Sequence, residues 1–69
     1  MDKEYVLISF DDGGKIDAAA FYRAPALDGF KAGLARATIA GSKKFHVYQI
    51  QRGEKDALTF SRVEKKLKA

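Results

Sequence analysis

The chain contains no cysteine. That absence removes disulfide staples, thiolate nucleophiles and every cysteine-containing zinc or iron–sulfur site in one step. His46 is the single histidine, so a multi-histidine metal site is excluded and no second base is present to complete a serine–histidine pair. No apolar run approaches the length that spans a bilayer. Met1-Asp2-Lys3-Glu4 leads straight into a short apolar stretch, without the basic start, long apolar centre and small-residue cleavage site of a secretory signal. The phosphate-loop pattern is missing too: Asp11-Asp12-Gly13-Gly14-Lys15 groups glycines with a lysine, but no helix starts directly after it to supply its dipole. Together these absences predict a soluble cytoplasmic protein with no cofactor, no membrane partner and no enzymatic activity.

What is present is the material of one small fold. Its 69 residues make a single domain near the lower limit of what a core can stabilise without staples. Apolar residues are 46% and aromatics 12% of the chain, ordinary globular usage, so the core must be aliphatic and aromatic. Thirteen Lys and Arg against nine Asp and Glu leave a net charge of +4, unevenly placed. Asp11, Asp12 and Asp17 come early, whereas Lys43, Lys44, Arg52, Arg62, Lys65, Lys66 and Lys68 crowd the second half. The carboxy-terminal part therefore builds any electropositive surface.

Periodicity predicts an α+β fold, a small antiparallel sheet with one packed helix in the order β-β-α-β-β. Tyr5 to Phe10 reads as a strand with Val6, Ile8 and Phe10 on one face. Asp11 to Gly14 suits a hairpin turn, since the glycines tolerate positive φ and the aspartates can bond nearby backbone. Lys15 to Tyr22 reads as the return strand, with Ile16, Ala18, Ala20 and Tyr22 sharing a face, although Ala18-Ala19-Ala20 also suits a helix. A helix should begin near Pro25, bury Leu27, Phe30, Leu34 and Ala37, turn Lys31 and Arg36 to solvent, and stop at Gly41. Ala26, Gly29, Gly33 and Ala40 either let its backbone approach a sheet or a second chain closely or simply fill a small core. Lys44 to Gln51 is the clearest strand, with Phe45 and Val47 on one side and His46, Tyr48 and Ile50 on the other. Ala57 to Val63 supports two readings. As a strand it puts Leu58 and Phe60 inward; as a helix it aligns Ala57, Phe60, Val63 and Leu67. Thr59-Phe60-Ser61 is poor helix material and the preceding loop suits a hairpin, so the strand is preferred. Lys65 to Ala69 reads as a frayed end or a helical turn.

The candidate functional residues follow from charge and rings. Lys43, Lys44, Arg52, Arg62, Lys65 and Lys66 form the candidate anion or nucleic-acid surface, and His46 and Tyr48, with Tyr5 on a neighbouring strand, are candidates for stacking on bases. Rings in strands also simply stabilise sheets, and lysines also simply solvate a face.

The order hairpin, helix, aromatic-rich strand, running from Tyr22 through Leu27-Asp28 to Phe45-His46-Val47, resembles the small RNA polymerase inhibitors encoded by T7-like phages over roughly Tyr5 to Gln51. The resemblance implies a bacterial or phage accessory protein acting by surface contact. Such inhibitors present an acidic surface in a nucleic-acid channel, whereas this chain is basic and carries only Asp11, Asp12 and Asp17 near its hairpin, so no functional residue is carried over. The leading expectation is a regulatory protein that binds another protein, or a second copy of itself as a homodimer, through edge strands and a small-residue helix face. The alternative is a basic module that binds DNA or RNA without sequence preference.

Overall fold

The computed structural model describes residues 1–64. Four strands, β1 (Asp2–Phe10), β2 (Ile16–Pro25), β3 (Lys44–Arg52) and β4 (Leu58–Val63), form one antiparallel sheet in the order β2-β1-β3-β4. Helix α1 (Gly29–Ala40) follows a 3-10 turn at Ala26–Asp28 and lies across one face. This is the predicted α+β order, with the final segment a strand.

The turns are built as the glycines and aspartates suggested. Asp11 Oδ1 accepts hydrogen bonds from the backbone of Gly13 and Lys15, both at 2.9 Å, and Gly14 takes a φ of +84°. Asp11 is thus spent on the turn. Gly41 ends α1 at a φ of +74°, its amide donating to Thr38 O, and Ser42 N returns to Ala37 O. The β3–β4 loop is less comfortable. Lys55 and Asp56 both sit at positive φ, 56° and 64°, a region that aspartate tolerates and lysine rarely adopts.

The core lies between α1 and the face bearing Tyr5, Leu7, Tyr22, Ala24 and Val47, all buried. The rings of Tyr5 and Tyr22 stack with centroids 5.4 Å apart, and the Tyr22 hydroxyl donates to Gly29 O at 2.7 Å. Burial pushes both phenols above their ordinary pKa. These rings decide which helix residues meet the sheet: the buried ones are Gly29, Gly33 and Ala37. A Cβ at Gly33 would lie 2.5 Å from Tyr22 Oη and 2.6 Å from Val47 Cγ2, and one at Gly29 would collide with the Tyr5 ring.

The predicted apolar stripe is therefore corrected. Phe30 is half-buried, but Leu34 is 39% and Leu27 97% exposed. The sheet's tyrosines supply the bulk of this layer, so the helix contributes small residues. The same contact uses up the Gly29–Gly33 surface that the sequence left open to a second chain. Arg36 is exposed as expected, yet its guanidinium carbon stands 4.6 Å from the Tyr22 ring centroid and caps that edge of the core.

Candidate functional site

Among the described residues only one face of the sheet is covered. Pairing partners in an antiparallel ladder share a face, so beyond the end pairs Pro25–Asp2 and Arg52–Leu58 the register gives the uncovered one as four cross-strand rows. They are Arg23–Glu4–Ile50–Phe60, Phe21–Val6–Tyr48–Arg62, Ala19–Ile8–His46 and Ile16–Phe10–Lys44. Antiparallel sheets with a solvated face ordinarily alternate apolar-in and polar-out. Here the outward set is itself largely apolar and aromatic.

Two expectations change with this register. Ile16 does not join Ala18, Ala20 and Tyr22: a bulge between Ser9 and Phe10 pairs it with Phe10 on the uncovered face. Leu58 and Phe60 do not point inward, because they oppose Arg52 and Ile50, and both remain about half exposed. The helix has no substantial contact with β4, so nothing on the covered side calls for those side chains.

Three rings line the two central strands. Phe10 meets His46 edge to face with centroids 5.2 Å apart, and His46 meets Tyr48 in the same manner at 6.3 Å. All three are half-buried, so their outer surfaces stay accessible. The aliphatic centre beneath them is closed: Val6 is 2% and Ile50 7% exposed with no second layer present. A shallow depression of about 440 Å³ lies beside Phe10 and His46, bounded by Gly14 and Lys44. Phe21 and Phe60 stand at the margins, 71% and 49% exposed.

His46 and Tyr48 are thus brought together as the sequence suggested, but Tyr5 is not with them. It faces the helix and is buried in the core. Its place in the ring cluster is taken by Phe10, which odd–even alternation had put on a face with Val6 and Ile8 without saying what lay beside it.

Among the described residues the candidate cations divide into paired and unpaired. Arg52 Nε and Nη2 hold both carboxylate oxygens of Glu4, at 2.9 and 3.0 Å, and that hydrogen-bonded pairing draws the Glu4 pKa below its ordinary value. Arg62 approaches Glu64 at 3.4 Å through a solvent-exposed contact. Lys44 is exposed, opposes Phe10 and forms no ion pair among the described residues. Lys43 lies in the loop before β3, where it and Lys44 border a depression shared with Asp12 and Asp17. Lys65 and Lys66 lie outside the described residues.

Among the described residues no group of three or more His, Asp or Glu side chains is placed to hold a metal ion, and no helix is long and apolar enough to cross a membrane. The chain matches no protein-family model, no curated protein and no solved structure, so the reading of this face rests on its own residues.

Proposed function

We propose that this protein is a non-enzymatic accessory or regulatory protein that works by surface contact, and that the uncovered sheet face is its contact surface. The observation that carries the reading is the row Phe21–Val6–Tyr48–Arg62 with its ring neighbours His46 and Phe10. A face of large apolar and aromatic side chains set among cations is what a binding surface has and a merely solvated face lacks. Contact with another protein is one use of such a face. A specific observation favours a second use: the central accessible groups are rings flanked by Lys44 and Arg62, a pairing that suits bases and phosphates.

The contact surface is tested by paired variants. Phe21→Glu with Phe60→Glu changes only exposed side chains on the sheet face; Leu34→Glu with Ile39→Glu changes exposed side chains on the helix. Immobilised protein should lose its partners from lysate with the first pair and keep them with the second; nuclease treatment removes a nucleic-acid partner and leaves a protein partner in place. The reverse pattern would move the contact to the helix and overturn the reading.

A further inference from the structure

We infer that the occupant of this face is a single strand of nucleic acid, DNA or RNA, with unpaired bases lying on Phe10, His46 and Tyr48; this rests on the contact-surface reading above. Three observations select that occupant. First, the aliphatic centre is already closed, since Val6 and Ile50 are buried by their own neighbours. A second hydrophobic layer, such as another copy of the chain, would find little of it left to bury. What remains accessible at the centre is the outer surface of Phe10, His46 and Tyr48, with the exposed Ile16 and Leu58 at the margins, and every base offers a π-face to a ring.

Second, the rings follow the two central strands, Phe10 on β1 and His46 and Tyr48 on β3. Four-stranded sheets that bind RNA present stacking aromatics on an open face in the same way and hold two or three bases there. The depression between Phe10, His46 and Lys44 offers one such position with a cation at its rim.

Third, the charges are placed for a backbone running along β3. Lys44 opposes Phe10 at one end and Arg62, in an exposed contact with Glu64 that a phosphate can displace, opposes Tyr48 farther along, while Glu4 lies at the other end of β1, neutralised by Arg52. Stacking needs bases that are not already paired, so single strands should be preferred over duplex.

The test is fluorescence anisotropy of labelled oligo-dT, oligo-rU and a duplex of equal length, titrated at low and at moderate salt. We expect saturable binding of one or both single strands, weaker binding of duplex, and affinity that falls with salt. Tyr48→Ala should weaken single-strand binding about 5- to 150-fold, Tyr48→Phe should bind like the parent, and Lys44→Gln should reduce the salt slope by about one unit or somewhat less. Thermal melts confirm that each variant folds. Binding that ignores Tyr48→Ala and takes duplex equally well would overturn the inference, leaving only diffuse attraction to positive charge. Absence of binding at low salt would overturn it too. In that case sedimentation separates the two readings. Self-association abolished by Phe21→Ser would leave the contact surface standing with a second copy as its occupant. A monomer whose lysate partners also survive Phe21→Ser would remove both.

Discussion

Gly33 shows how much a single hydrogen atom decides in a layer this thin. In an ordinary exposed helix, Gly→Ala stabilises by about 0.8–1 kcal/mol. Here the added methyl would press on Val47 Cγ2 and on a Tyr22 hydroxyl held by its bond to Gly29 O. Overpacking a filled core costs about 1–3 kcal/mol, which exceeds the propensity gain, so Gly33→Ala should lower the urea midpoint. A raised midpoint would mean that α1 sits farther from the sheet. Glu4 supplies a second residue-scale outcome, in pH. Its folded pKa is drawn below the ordinary 4.5 by the Arg52 hydrogen bonds. The unfolded carboxylate therefore takes up its proton first on acidification. The stability this pair adds is complete above the ordinary value and is lost as pH falls through the lower, folded one. Glu4→Gln should flatten that part of the acid limb. The effect is small, since the Arg52 side chain is 65% exposed; equal acid limbs in both proteins would show that the pair contributes nothing.

Elements, rather than residues, explain where periodicity succeeded and where it misled. Alternation gave the correct partition of Val6, Ile8 and Phe10 and of His46, Tyr48 and Ile50, because side-chain direction along a strand is a local property. It could not say which face the helix would choose, or that Phe10 would lie beside His46. Both depend on β1 pairing with β3 across the whole helix, a long-range fact. The helix stripe failed for a related reason: helical spacing marks large residues as inward, but Tyr5 and Tyr22 had already filled the layer. The consequence is measurable. Val47→Ala should cost about 2–3 kcal/mol, whereas Leu34→Ala, at a half-open position, should cost well under about 1 kcal/mol. Comparable losses from the two would contradict the placement of α1. The β3–β4 hairpin carries its own prediction. Lysine, unlike asparagine or aspartate, has no local side-chain reason to adopt the left-handed region, yet Lys55 does so at a φ of 56°. Lys55→Gly relieves that conformation at some entropic cost in the unfolded chain, leaving a net gain of about 0.5–1 kcal/mol. An unchanged or lower melting temperature would place the strain elsewhere in the loop.

At the scale of the whole molecule, the fold is a sheet with one covered face, and its stability is exposed to whatever occupies the other. The site was legible in part. His46, Tyr48 and the basic second half were visible as residue types, but the rows that gather them with Phe10 and Phe21 came only from strand order, and Arg52 proved to be spent on Glu4. A ligand that binds the folded state alone adds roughly 2.7 kcal/mol when present at 100 times its Kd. In a domain of this length each kcal/mol moves the melting temperature by about 4–8 °C. An oligonucleotide stacked on the uncovered face should therefore raise Tm by roughly 10–20 °C at low salt. The gain should shrink as salt is raised, because releasing condensed counterions into a more concentrated solution yields less entropy. A second copy on the same face gives a different signature: Tm would rise with protein concentration and stay unchanged when oligonucleotide is added. Scanning calorimetry over a range of protein and oligo-dT concentrations distinguishes these outcomes. A Tm that responds to oligo-dT alone assigns the face to the strand. One that responds to protein concentration alone assigns it to self-association.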